Sequence, residues 1–465
     1  MTINYTYSCD GSQPIPVKIA QNIEDLIASG QLLPGVKLPP QRQLAFELNV
    51  AIATVGKAYK ICRERKLIKT ETGRGTFVLC KSEMPSPSAS RINWNGPKID
   101  DAPYDRPDPK MVSSIGNLPL STLAENLDTV LKSNPIEALD YARRIPAHWL
   151  HAGQHWLGTP DWMPDEDGIL PVNGAYAGLL AAGLAKTKIS DWVAVEDPGY
   201  SMVCKALEKF GRRILPIRVG PKGLDLAALQ KALKTCSPKV IYVTPTVQNP
   251  STATMPRQNR DALIKIARHY DITIIEDNVY GRSMQPLPPL ASLAPERTFH
   301  VNSLSKAVSA GLRVGWISCP ENQKDQIAEA HATISGHWSF LIHELASQLV
   351  LSNAASQAAL KRAKEVKTRH ATLVEIFKNS PFEMNSHPDA PFISFRFPRL
   401  FDHAAFQKFL AGTNLHISLP AEFQTTHKKP VNGLCRLALL HPSDRSAFKS
   451  EVQAFHDLIV AGSKS

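Results

Sequence analysis

Residues 301–316 read VNSLSKAVSAGLRVGW, and in them one lysine, Lys306, stands among Ser303, Ser305 and Ala307. Seven residues later comes Arg313, between Gly311 and Gly315. A lysine by itself is most often a solvated side chain. Small hydroxyl-bearing neighbours, a nearby cation and glycines that admit close backbone approach suit instead a reactive amine beside an anion site. The stretch is entered by the β-type run TFHVNS, and comparable runs precede it: WVAVED, VIYVTP and ITIIEDN. Helical patterns such as MVCKALEKFG and RQNRDALIKIARHY lie between them. Strands alternating with helices imply parallel βαβ units, so the body is expected to be α/β with a mainly parallel central sheet. From about residue 340 the pattern has more helix and shorter strands, which implies a smaller C-terminal α+β lobe.

Outward from that body the chain changes character. Residues 81–110, KSEMPSPSASRINWNGPKIDDAPYDRPDPK, are rich in proline and serine and keep no helical or strand period. They read as a linker between a head, residues 1–80, and a body, residues 111–465. In the head, VKIAQNIEDLIASG has an apolar helical stripe at 19, 20, 23, 26 and 27, with Gly30 as C-cap. PPQRQLAFELNV repeats the stripe with Leu44, Ala45 and Leu48, and Asn49 marks a turn. ATVGKAYKICRERKL turns Val55, Ala58, Tyr59 and Cys62 inward, and LIKTETGRGTFVL gives two short β-type runs around TGRG. Three helices followed by a hairpin make a winged helix-turn-helix.

The 465 residues carry a formal charge of +11 and a pI of about 9.2, which favours an acidic partner. The charge is concentrated: from Lys57 to Arg74 seven basic residues face two acidic ones. They fall on the third helix and the hairpin, so double-stranded DNA is the expected partner. The hydrophobic fraction, 43 %, is enough for a sizeable core, while the most apolar stretch, GLLAAGLA, is far too short to span a bilayer. No membrane association is expected. The start, MTINYTYSCDGSQPIP, lacks the basic-then-apolar order of a signal peptide. The seven cysteines have neither metal-ligand nor redox spacing, which suggests free thiols in a reducing cytoplasm and no metal site.

Lys306 gains meaning from residues elsewhere in the body. Pyridoxal 5′-phosphate requires an amine for its aldehyde, a carboxylate for its ring nitrogen, donors for its phenolic oxygen, a stacking group and phosphate ligands. Lys306 can supply the amine. Asp277 ends the run ITIIED, and a carboxylate at a strand's C-terminal end points into the crevice where α/β sheets bind ligands. Tyr280 and Asn249 can donate to the phenolic oxygen, and Tyr200 can stack on the ring. Gly174 and Ala175 open a helix whose free N–H groups suit a phosphate, with Ser303 and Arg313 completing the cup.

These motifs carry two resemblances. IPVKIAQNIEDLIASGQLLPGVKLPPQRQLAFELNVAIATVGKAYKICRERKLIKTETGRGTFV resembles the GntR-type winged-helix head throughout. The resemblance implies that Arg42 and Lys57 contact phosphates or bases, that Thr54 starts the recognition helix and that Arg74 reaches out from the wing tip. The family commonly enters that helix with Ser-Arg, where this chain has Ala51 and Ile52. NGAYAGL, EDPGY, TPTVQNPST, IIEDNVYG, SLSKAVSAGLRVGW and GLCRLALL fall in the order of the fold-type I aminotransferases. That resemblance implies Lys306 as Schiff-base lysine, Asp277 as pyridinium partner, Tyr280 and Asn249 as phenolate donors, and Tyr200 as stacking ring. It implies Ser303, Ala175, Tyr176 and Arg313 as phosphate shell, and Arg436 as the grip on a substrate α-carboxylate. Tyr141 resembles the tyrosine that reaches the neighbouring subunit's phosphate, which implies a homodimer. Departures are Tyr176 for a frequent glutamine, Asn278 for a frequent aspartate, Ala310 for a proline, and a missing glycine after Tyr141.

A GntR-type head on a fold-type I body is the arrangement of the MocR subfamily of bacterial regulators. It implies a DNA-binding regulator that senses the cofactor, a vitamin B6 compound, and/or an amino acid through external aldimine formation at Lys306. The alternatives are a working aminotransferase acting on an α-amino acid, and a sensor of the cofactor alone.

Overall fold

The structure, a computed structural model, describes residues 14–28, 31–32, 35–65, 67–71, 75–79, 118–281, 287–378, 380, 383–396, 403–426, 434–441 and 444–462. The chain divides into two compact units, residues 1–105 and 106–465. Gly30, Arg74 and the whole of the 81–110 segment lie outside the described residues.

In the first unit α1 (Ile15–Ala28), α2 (Gln41–Glu47) and α3 (Ile52–Glu64) precede the antiparallel pair β1 (Ile68–Glu71) and β2 (Gly75–Val78). The apolar stripes close one core: Ile19, Ile23, Leu44, Val55, Tyr59, Cys62, Ile68 and Val78 are all buried. Asn49 takes φ 51° between α2 and α3, a left-handed turn that asparagine tolerates better than most residues. One expectation shifts. Helix α3 starts at Ile52, two residues before Thr54, and Ala51 at its N-cap makes no side-chain cap hydrogen bond. Without a capping oxygen the first turn is closed by backbone alone, Thr54 N donating to Ala51 O at 2.9 Å.

The second unit is built on an eight-stranded sheet. Its strands are β4 (Ile169–Val172), β5 (Trp192–Asp197), β6 (Arg213–Gly220), β7 (Gly223–Leu224), β8 (Val240–Val243), β9 (Thr273–Asp277), β10 (Thr298–Ser303) and β11 (Gly315–Ser318), in the order β4-β11-β10-β9-β8-β5-β6-β7. The run from β10 to β6 is parallel; β11 is antiparallel to both its neighbours, as is β7 to β6. β4 and β8 are buried along their full length, which is why they read as continuous apolar runs; β10 is equally buried although it carries Thr298, His300, Asn302 and Ser303. Leu179, Val203 and Leu207 pack on one cluster of the sheet's core and Leu229, Leu263 and Ile264 on another.

The smaller lobe is antiparallel: β13 (Met384–Asn385), β14 (Phe392–Arg396), β15 (Ile417–Ser418) and β16 (Leu434–Ala438), in the order β13-β14-β16-β15. Val366 and Leu373 of the long helix Ala354–Phe377 pack with Phe395, Leu437, Phe448 and Phe455 in its core. A further pair, β3 (Tyr141–Ala142) with β12 (Trp338–Ser339), stands apart from both sheets. Among the described residues no helix is long and apolar enough to cross a membrane.

Candidate functional site

Several loops that follow the parallel strands reach one cavity of about 230 Å³. It is lined by Ala175, Tyr176, Tyr200, Asn249, Asp277, Tyr280, Ser303, Lys306, Arg313 and Arg436, joined by Leu179, Thr244, Val279, Ser305 and Ala310. This is the crevice beyond the strand C-termini where open α/β sheets bind ligands.

Asp277 closes β9 and is 4 % exposed. Its Oδ2 accepts from Tyr242 Oη at 2.9 Å and its Oδ1 from Val279 N at 3.3 Å. Burial pushes its carboxyl up to about 6, while the Tyr242 and Val279 hydrogen bonds and the Lys306 charge favour the ionised form. Behind it lies a buried ionic cluster that fixes the neighbouring loops. Glu276 accepts from Leu290 N, Ala291 N and the His300 ring at 2.9–3.1 Å. Arg260, 3.7 Å from Glu276, donates to Pro245 O, Thr246 Oγ1, Met255 O and Pro288 O. The 245–255 loop that carries Asn249 is thereby pinned to the sheet.

Ser303 ends β10, and Asn302 orients it. Asn302 Oδ1 accepts from Ser303 N at 2.6 Å, and its Nδ2 donates to Asn278 O at 2.8 Å. Lys306 sits in the turn after β10 and is exposed, with its place in the cavity lining. The following turn ends with Arg313 in the left-handed region, φ 50°. That conformation carries its guanidinium to Gly174: a Cβ at Gly174 would lie 3.5 Å from Arg313 Nη2. Gly174 has φ 82° and caps the helix Ala175–Ala185, so the helix's N-terminal turn and Arg313 form one cationic cradle. Gly315 is equally constrained, since a Cβ there would fall 2.5 Å from Asn302 O.

Arg436 rises from β16 between two aromatic rings, Phe392 at 5.3 Å and Phe423 at 5.2 Å from its guanidinium carbon. Nη1 donates to Asn249 Oδ1 at 2.9 Å and Nη2 to Ser418 Oγ at 3.1 Å, and its buried Nε has no partner among the described residues. With its oxygen engaged, Asn249 keeps its amide N–H groups for the cavity. Tyr280 is held edge-on by Phe392, ring centroids 5.3 Å apart. Tyr200 is half-buried at the head of helix Ser201–Lys209. Burial, with the Asp277 charge, pushes its hydroxyl up to about 12, so it stays a neutral ring. Burial also raises Tyr176.

The two lobes meet beside the cavity. Asp197 Oδ1 accepts from Thr425 Oγ1 at 2.7 Å, Ser201 Oγ donates to Glu422 O at 2.6 Å, and Gly199 N donates to Phe423 O at 3.0 Å.

Tyr141 does not line this cavity. It is 48 % exposed on β3 and stacks on His337 at 4.7 Å. In the head, Arg42 and Lys57 are exposed on α2 and α3, Thr54 is half-buried, and Arg74 is outside the described residues. Sequence reasoning passed over Tyr242, Ser418, Phe392 and Phe423, which act through cross-strand or cross-lobe contact, and Ser305, whose buried Oγ has no hydrogen-bond partner among the described residues.

The residues present suit pyridoxal 5′-phosphate on their own chemistry. A buried carboxylate, an amine, amide and phenol donors, a cationic helix-capped cradle and a half-buried guanidinium share one cavity.

The family described as "Aminotransferase class I and II" matches residues 151–439, and "Bacterial regulatory proteins, gntR family" matches residues 17–78. An uncharacterized HTH-type transcriptional regulator of Bacillus subtilis (strain 168), YdeF, is 30 % identical over 73 % of this chain and 72 % of its own. The HTH-type pyridoxine biosynthesis transcriptional regulator PdxR of Corynebacterium glutamicum is 25 % identical, covering 76 % of each chain. The probable rhizopine catabolism regulatory protein MocR of Rhizobium meliloti is 22 % identical over 77 % of this chain and 76 % of its own. Among solved structures, LysN, an α-aminoadipate aminotransferase from Thermus thermophilus, superposes with a TM-score of 0.67 at 20 % identity, over 77 % of this chain and 95 % of that one.

Proposed function

Since the chain belongs to the MocR subfamily of GntR-type transcriptional regulators, with an aminotransferase class I/II body, we propose that it binds pyridoxal 5′-phosphate at Lys306 and regulates transcription in response to that cofactor and/or an amino acid. The observation that carries the reading is the single cavity that gathers Lys306, Asp277, Asn249, Tyr280, Arg313 and Arg436 in a chain that also has a winged-helix head.

When bound, the cofactor supplies an aldehyde that condenses with amines and a ring that draws electrons from the attached carbon. Lys306 Nζ is the amine that would hold it. Asp277 would keep a proton on the ring nitrogen. Asn249 Nδ2 and Tyr280 Oη would donate to its phenolic oxygen, and Tyr200 would cover one ring face. Ser303, Ala175, Tyr176 and Arg313, with Gly174 at the helix cap, would hold its phosphate. An amino-acid effector would offer its carboxylate to Arg436, whose planar fork suits a bidentate pair. Arg436 already links β16 to Asn249 of the larger lobe, so a carboxylate there acts on the contact between lobes. An effector changes DNA binding only through different affinity for different arrangements of the body. Tyr141, exposed and outside its own chain's cavity, is proposed to reach the cavity of a second copy in a homodimer. The partner is an operator in double-stranded DNA, met by Arg42, Lys57 and, from the wing, Arg74.

The test is optical. Protein incubated with pyridoxal 5′-phosphate should be yellow and keep its visible band through dialysis, and Lys306→Ala should lose it. A colourless wild-type protein would refute the reading.

A second reading, amino-acid transamination, is favoured by one observation: every group such chemistry requires of the protein lines the same cavity. Stoichiometric conversion to pyridoxamine phosphate, followed by repeated turnover with a keto acid, would support it. A single slow half-reaction would leave regulation as the role.

A further inference from the structure

The opening of α3 is apolar and exposed. Ala51, Ile52 and Ala53 all face solvent, and Ile52 is 49 % exposed. A branched aliphatic side chain left in water at a helix start leaves apolar surface that the head's own core does not cover. On the helical period, Val55, Ala58, Tyr59 and Cys62 form the buried face of α3. Ile52, Ala53, Gly56, Lys57 and Lys60 lie on the rest of the helix surface, with Lys57 and Lys60 exposed. At Gly56 an added Cβ would meet, among the described residues, the Gln41 side chain alone, 3.2 Å from Oε1. The outer face is therefore small and apolar in its first turn and cationic beyond it.

In a helix-turn-helix the first residues of the recognition helix meet base edges, while neighbouring cations meet phosphates. No side chain from Ala51 to Ala53 can donate or accept a hydrogen bond. Of the features the four bases show in the major groove, only the C5-methyl of thymine is apolar. We propose that Ile52 is a specificity-determining residue that reads a thymine methyl group in each half-site. The small residues Ala53 and Gly56 let the helix lie close to the base edges, and Lys57 and Lys60 neutralise the flanking phosphates. The inference rests on the DNA-binding reading above.

The experiment uses the full chain and duplexes it enriches from a random-sequence pool. Each thymine of an enriched duplex is replaced in turn by deoxyuridine, which removes the methyl and keeps every hydrogen-bonding group. At one thymine per half-site the affinity should fall about four-fold, as expected for one methyl group removed from water. Ile52→Ala should abolish that sensitivity, and Ile52→Val should keep it. Ile52→Ala should leave the salt dependence of binding unchanged, whereas Lys57→Ala should weaken all sequences and lower the salt slope by about one. Because Ile52 is exposed, the variant should fold, which unchanged salt-dependent binding to bulk DNA verifies. The inference is overturned if no deoxyuridine weakens binding, or if one weakens wild type and Ile52→Ala alike. Failure to enrich any duplex overturns the DNA-binding reading itself and this inference with it.

Discussion

Asp277 carries its titration inside the protein, and its raised carboxyl can be read as stability. A group that takes up a proton near pH 6 in the folded chain, against 3.8 as its ordinary value, holds more protons folded than unfolded between those two values. Stability from this group therefore falls as pH rises through that window and stays low above it, by at most about 3 kcal/mol. Compared with Asp277→Asn, the cofactor-free wild type should lose urea resistance between about pH 4 and pH 6. A difference between the two proteins that does not change with pH would refute this. Arg436 makes a second prediction at the same scale. Arg436→Lys keeps the charge but loses the planar fork, so binding of carboxylate effectors should weaken about 10- to 100-fold, the worth of a charge-assisted hydrogen bond. Titration calorimetry on cofactor-loaded protein reads this, and the visible band should remain.

Among the elements, the helix Ala147–Leu157 is set closely against the sheet. A Cβ at Gly153 would lie 2.4 Å from Trp316 Cδ1 and 2.7 Å from Ile169 Cγ2. Trp316 is fully buried and its indole donates to Trp149 O, so the ring cannot move aside. Gly153→Ala should cost roughly 1–3 kcal/mol in denaturant unfolding through overpacking. An unchanged midpoint would show that the helix shifts freely. The same scale explains what the sequence disclosed. Asp277, Ser303, Tyr200 and Gly174 each stand at or just after the end of a strand, and Lys306 and Asn249 in the turns that follow, so alternation along the chain already placed them on one edge of the sheet. Tyr242 was invisible that way. Its register partner on β9 is Ile275, and it reaches Asp277 across a diagonal that only the β8–β9 pairing defines. Phe423 and Ser418 meet Arg436 through the small lobe's fold, and no spacing rule joins them. In the head, residue type predicted three helices and a hairpin, and Ala51, lacking a capping oxygen, left the start of α3 to the backbone.

For the whole molecule, the two units pose one question: whether chemistry in the body is felt by the head. The body has the means, since Arg436 and Asn249 join the lobes at the cavity and Asp197 with Thr425 joins them beside it. A sensor of the cofactor alone should respond identically in Arg436→Lys, whereas a sensor of amino acids should lose that part of its response. The most direct measurement is the affinity of the full chain for an enriched duplex, with pyridoxal 5′-phosphate present and with amino acids added in turn, in wild type and Lys306→Ala. Wild-type affinity should change several-fold with the cofactor or with at least one amino acid, and that of Lys306→Ala should not change. Equal affinity under every condition in a wild-type protein that carries the visible band would contradict a regulatory role for the site.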